Sequence, residues 1–188
     1  MIRQDGISIG FTITALFLSL YWSTGDKSFI GIFPAILLIS SFGLNFYIGQ
    51  TYPKTSGDAG NTLLYTMVAV AGMYFTGYFT QNYFVPQTTI ELSGIDAIQY
   101  GILMAVAEEQ FFRGALLNFL QPRFGEVLSV LASAGIFTIY HFFIYAGMVS
   151  TLLYVLGAGV LLAFVTVRSR SITPAICAHV INNVMSVM

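Results

Sequence analysis

Ala107-Glu108-Glu109-Gln110-Phe111-Phe112-Arg113-Gly114 stands inside an apolar run, Ala97 to Leu120, that carries no other charge. Two adjacent carboxylates and a guanidinium are unfavourable there. Even on insertion-based scales a charged side chain at the centre of a spanning helix costs about 2.5–3.5 kcal/mol. The chain has only 8 acidic residues, and two of them are in this stretch. Ionisable groups within a membrane segment point by default to a functional site. The structural alternative is an ion pair, because Glu109 and Arg113 stand at i and i+4 on one helix face.

The composition sets the medium in which that stretch must fold. Of 188 residues, 56% are hydrophobic and 8% are charged, against roughly 25% charged residues in a soluble domain. The expected class is all-α: a multi-pass integral membrane helical bundle of about seven transmembrane helices, built as a single membrane domain over residues 1–188. Seven Lys and Arg in total cannot form a nucleic-acid surface, so the expected partners are the lipid bilayer and a membrane-borne substrate. The single cysteine, Cys177, excludes an intrachain disulfide. The first apolar run, Ile7 to Trp22, is expected to be a retained span and not a signal peptide. Asp5 lies in its start region and no small-residue cleavage site follows it. Nothing in the sequence sets an oligomeric state.

Apolar runs near 20 residues place spans at about Ile7–Trp22, Ser28–Gly49, Thr62–Thr80, Asp96–Leu120, Val127–Ala146, Val149–Val167 and Thr173–Met188. Polar loops are expected at Thr51–Gly60 and Gln81–Ile95, the latter with an interfacial piece around Tyr83 and Phe84. A tight turn is expected at Gln121–Glu126. With seven alternating spans, Arg3, Lys54, Arg123, Arg168 and Arg170 fall on one side and only Lys27 on the other, with Arg113 inside. The positive-inside rule then puts the N-terminus in the cytoplasm. The cell membrane is the expected location.

Few titratable side chains lie within the spans: Glu108, Glu109, Arg113, His141, His179, Cys177 and some tyrosines. His179 and Asn183 share one helix face, as do Phe137 and His141. At 1.5 Å per residue Glu108 is roughly 18 Å, His179 roughly 10 Å and His141 roughly 15–21 Å from the cytoplasmic ends, which is compatible with a common site. Such a set can carry peptide hydrolysis. A poorly solvated carboxylate serves as general base, a histidine beside it holds the attacking water, and a second histidine with an amide one turn away donates to the oxyanion. Pairing Glu109 with Arg113 leaves Glu108 for chemistry.

Glu-Glu-x-x-x-Arg at 108–113, Phe-x-x-x-His at 137–141 and His-x-x-x-Asn at 179–183 resemble the motifs of the CPBP family, also called ABI. That family groups type II CAAX prenyl endopeptidases with bacteriocin-processing and self-immunity proteins. The resemblance covers the motif-bearing core, about residues 96–188, and the first three spans carry no matching motif. It implies an intramembrane glutamate protease with no essential metal or other cofactor. It also implies a peptide or lipidated (CAAX-type) protein substrate. By position, Glu108 with His141 would activate water, and His179 with Asn183 would form the oxyanion hole. Glu109 and Arg113 would support the site, with Phe137 packed in it.

Three alternatives stay open. One is a zinc-dependent intramembrane protease using His141, His179 and a glutamate, although His-Glu-x-x-His is absent. Another is a non-catalytic binding or immunity protein of the same family. The third is a small transporter with Glu108 and Glu109 as a proton relay. Ser129, Ala132, Ser133 and Gly135 are expected to be small residues for close helix packing, Cys177 a core residue, and Tyr140 and Tyr145 packing or interfacial rings.

The charge distribution makes a testable topology. Cysteines placed at Lys54 and Arg123 should be labelled by a membrane-impermeant reagent only from the cytoplasmic side. Labelling of either position from outside would overturn the assignment.

Overall fold

The computed structural model describes residues 6–23, 28–47, 59–80, 92, 94–142, 144–145 and 148–187. They form α1 (Gly6–Ser23), α2 (Ser28–Tyr47), α3 (Ala59–Thr80) and α4 (Ile95–Glu109). A π-helical segment (Gln110–Leu116) follows, then α5 (Leu117–Phe142), α6 (Val149–Ser169) and α7 (Thr173–Val187). Arg3, Asp5, Lys27, Lys54, Glu91 and the expected interfacial piece at Tyr83 and Phe84 lie outside the described residues.

The fold is helical and its polarity is inverted relative to a soluble domain. Phe46 is 89% exposed, whereas Arg113, Glu109 and Asn183 are 0% exposed. Apolar side chains cover the outside of α1, α2 and α3, while Ser8, Thr12, Ser19 and Ser41 are turned inward. This is the arrangement a hydrocarbon solvent selects: backbone polar groups close within helices, and polar side chains find partners between them. Ser19 donates to the Gly31 carbonyl at 2.7 Å and so ties α1 to α2.

Three helical stretches are long and apolar enough to cross a membrane: Ala59–Thr80, Ile95–Phe142 and Val149–Ser169. The apolar parts of α1 and α2, Ile7–Tyr21 and Gly31–Tyr47, are shorter. At 15 residues α7 measures roughly 22 Å, less than the roughly 30 Å hydrocarbon core.

The tight turn expected at 121–126 is present, made by a sharp break and not by an open loop. Helix continues through Pro122, and the break falls on Gly125, with φ 73° and ψ −179°. That region is open essentially to glycine alone. The chain reverses there, so the leg 126–142 runs back along the π-helical segment. Ser133 Oγ donates to the Phe112 carbonyl at 3.1 Å, and the Phe112 and Phe137 rings meet edge to face at 5.0 Å. α6 then packs on α5, and α3 on both α6 and α7. α7 lies against α4. α5 and α6 approach closely at Gly159, where an added Cβ would stand 3.3 Å from Ala134 Cα. Gly135, expected at a close contact, has nothing within 4 Å of where its Cβ would be. Rotation of α5 puts Ala134 at the interface in its place.

Gly125→Val should therefore lower stability by about 1–3 kcal/mol, the usual effect of forcing a side chain into such a conformation. Gly135→Ala should be neutral or stabilising by up to about 1 kcal/mol, since it relieves a mid-helix glycine without a clash. Thermal unfolding in detergent checks both.

Candidate active site

The last turn of α4 and the π-helical segment carry Glu108, Glu109 and Arg113. A π turn inserts one extra residue into the helical ladder, and such turns recur at functional sites. Here outside hydroxyls brace the segment. Ser41 of α2 donates to the Gln110 carbonyl at 3.0 Å, and Ser133 of α5 to that of Phe112. The Gln110 side chain, 1% exposed, donates to Thr12 of α1.

Glu109 and Arg113 form a fully buried ion pair, Oε1 to Nη1 at 3.1 Å. Arg113 has two further partners. Its Nη2 donates to the Gly159 carbonyl of α6 at 3.3 Å, and its Cζ lies 4.3 Å from the Phe137 ring centroid. Glu109 Oε1 also lies 2.8 Å from His179 Nδ1. A carboxylate can only accept, so Nδ1 carries the proton. In the neutral ring, Nε2 is then an acceptor.

Glu108 is 1% exposed and faces both histidines. Its Oε1 is 3.8 Å from His141 Nε2, and its Oε2 is 3.7 Å from His179 Nε2. These are not hydrogen bonds. At such separations a water beside each pair can bridge the two groups. The His141 tautomer follows from its other nitrogen, which lies 2.9 Å from the Phe137 carbonyl. Nδ1 donates there and leaves the Nε2 lone pair directed at Glu108. Phe137 thus holds His141 twice, by that carbonyl and by an edge contact at 4.3 Å. Tyr145 stacks on the other face of His141 at 5.8 Å.

Glu108, Glu109, Arg113, Phe137, His141 and His179 are therefore in one buried cluster contributed by α4, the π turn, α5 and α7. Asn183 is on the same face of α7 one turn beyond His179, but its amide nitrogen donates to the Gly101 carbonyl of α4 at 3.0 Å. Gly101 is about two turns before Glu108. Its lack of a side chain lets Asn183 Cβ approach to 3.3 Å of the position its own Cβ would take. With both glutamates ionised, Arg113 charged and both histidines neutral, the cluster has one net negative charge. Among the described residues no group of three His, Cys, Asp or Glu side chains is arranged to hold a metal ion.

Residues 91–185, half of the chain, match the family model described as type II CAAX prenyl endopeptidase Rce1-like. The chain belongs to that family. No curated protein and no solved structure matches it. For a CAAX prenyl endopeptidase-like chain, the matched region is the one that contains the whole buried cluster. At the family level the chain is an integral membrane protein of the CAAX-type protease group.

Two features of this Rce1-like site had no usable sequence signal. Tyr140, expected to be a packing ring, points its hydroxyl at Glu108 Oε1, 3.4 Å away. Tyr154 of α6 donates to Asn182 Oδ1 at 2.6 Å and lines an apolar groove of about 680 Å³ between α3, α6 and α7, together with Ala178, Asn182 and Met73. An isolated tyrosine in an apolar run looks the same whether its hydroxyl meets a headgroup, water or a carboxylate.

Replacing one partner of a buried ion pair leaves the other charge uncompensated and typically costs about 3–5 kcal/mol. Glu109→Gln should show that loss as reduced yield and reduced thermal stability in detergent. The double variant Glu109→Gln/Arg113→Gln should recover most of it, because neither charge then remains buried alone.

Proposed function

We propose that this chain is an intramembrane endopeptidase that hydrolyses a peptide bond of a membrane-associated, prenylated CAAX-type substrate with a glutamate-activated water. The observation that carries this reading is the position of Glu108, which is buried and set between the two histidines. Its Oε1 is 3.8 Å from one and its Oε2 3.7 Å from the other, while Oε2 has no hydrogen-bond partner among the described residues.

A water beside Glu108 and His141 would donate one hydrogen to Oε1 and the other to the His141 Nε2 lone pair. Its oxygen lone pair is then aimed at an incoming carbonyl carbon. As the C–O bond forms, the water proton passes to Glu108 and the negative charge goes to the carbonyl oxygen. Collapse of the tetrahedral species breaks the C–N bond, and Glu108 returns the proton to the leaving amine. We assign His179 and Asn183 to the oxyanion. His179 can donate through Nε2 when it carries both ring protons, and Asn183 through the second hydrogen of the amide whose first is given to Gly101. Glu109 and Arg113 hold this arrangement and take no proton. The groove between α3, α6 and α7 would seat an apolar substrate tail, since Ala178 and Asn182 in its wall flank His179 on α7. Seven crossings with the N-terminus in the cytoplasm complete the reading.

Purified protein in lipid should cleave a prenylated peptide ending in Cys-a-a-X. Glu108→Gln should lower the rate by about 10²–10⁴-fold while retaining the parental melting temperature. An active Glu108→Gln protein would show that the base is misassigned. Loss of cleavage with EDTA, restored by zinc, would replace the water-activation scheme with zinc catalysis.

A further inference from the structure

Among the described residues Tyr140 is the one protein hydrogen-bond donor on Glu108. Neither histidine can take that role as a neutral ring, because each has its proton on Nδ1, held by the Phe137 carbonyl in one case and by Glu109 in the other. With both rings neutral, the two nitrogens that face Glu108 present lone pairs. A carboxylate between two acceptors has nothing from them to fix its plane, and rotation about its last side-chain bond is soft.

Tyr140 is built to supply what they do not. Its ring is clamped by groups from three directions. Phe33 of α2 stacks on it at 5.9 Å with planes 11° apart. Phe112 of the π segment packs at 5.5 Å, and His141 at 4.8 Å with its ring nearly perpendicular. A ring held in this way delivers its hydroxyl to one place, and that place is Glu108 Oε1. One lone pair of Oε1 then takes the phenol hydrogen, and the other remains on the His141 side.

We infer that Tyr140 is a positioning residue that pins the Glu108 carboxylate through its phenol O–H, so that Oε1 presents its remaining lone pair to a water shared with His141. The inference deepens the proposed function and rests on Glu108 being the base. It also explains why a tyrosine directly precedes the histidine. On a helix the two side chains point about 100° apart. Only a long side chain can bring a polar tip from the neighbouring face round to the carboxylate that the histidine also approaches.

Tyr140→Phe removes one oxygen and keeps the ring that Phe33, Phe112 and His141 contact. It should lower kcat by about 10–100-fold, the scale of a small misplacement of a reacting group. KM should stay within about twofold and the melting temperature in detergent within about 2 °C. A second measurement needs no substrate. The carboxyl stretching band of Glu108, isolated as the infrared difference between the parent and Glu108→Gln, should be displaced in Tyr140→Phe. Parental kcat in Tyr140→Phe would overturn the inference. An undisplaced band would overturn it whether or not the peptide is cleaved. A kcat loss accompanied by a fall in melting temperature as large as that of Phe33→Ala would show a packing role instead. A displaced band beside an active Glu108→Gln would sink the proposed function while leaving the hydrogen bond in place, so the two failures are distinguishable.

Discussion

The Glu109–Arg113 ion pair is the constraint on which the rest of the architecture depends. Neither group can be buried without partners in a medium that offers no water. Arg113 reaches across to the Gly159 carbonyl of α6 and over the Phe137 ring of α5. Glu109 reaches the His179 imidazole of α7. One buried pair therefore ties together the π turn, α5, α6 and α7. Gly159 serves twice, since its missing side chain allows α6 to close on Ala134 and its carbonyl satisfies the guanidinium.

The π-helical segment and the Gly125 break give that pair its surroundings. Reversal at a single residue makes the two legs antiparallel at close range, so that positions on one leg meet positions on the other: Phe112 meets Phe137, and Glu108 meets His141. An open loop would leave this register free to slide. Serines from α2 and α5 donate to carbonyls in the π turn, so its unusual ladder is braced from both sides. Glu108 and Glu109 are thus attached to a segment that three other helices hold in place.

Adjacent glutamates have been driven into different environments. Glu109 shares one oxygen between a guanidinium and an imidazole nitrogen. Glu108 has a single phenol donor and otherwise faces lone pairs. Neighbours in sequence are about 100° apart around a helix, so one carboxylate is committed to an ion pair while the next stays outside it. His179 belongs to both arrangements, Nδ1 to Glu109 and Nε2 towards Glu108. The Glu109–Arg113 pair and Glu108 are therefore linked through a single ring.

Composition alone determined that this chain belongs in a membrane, because 8% charge cannot solvate a surface. Run lengths placed helix ends within a few residues of where they lie. The three motifs named the polar groups that such a membrane helix would not carry without a purpose. Spacing also determined which of them share a helix face, as for Glu109 with Arg113 and His179 with Asn183. Tertiary structure alone decided what each face meets. Asn183 is turned to the Gly101 carbonyl, His179 to Glu109, and the Tyr140 hydroxyl to Glu108, while the turn expected at 121–126 is made at the single residue Gly125. The physical reason is that periodicity specifies positions around a helix but not the rotation of that helix against its neighbours. In a chain apolar on nearly every face, that rotation is set by a few close contacts between small residues and by the partners that its buried polar side chains find on neighbouring helices.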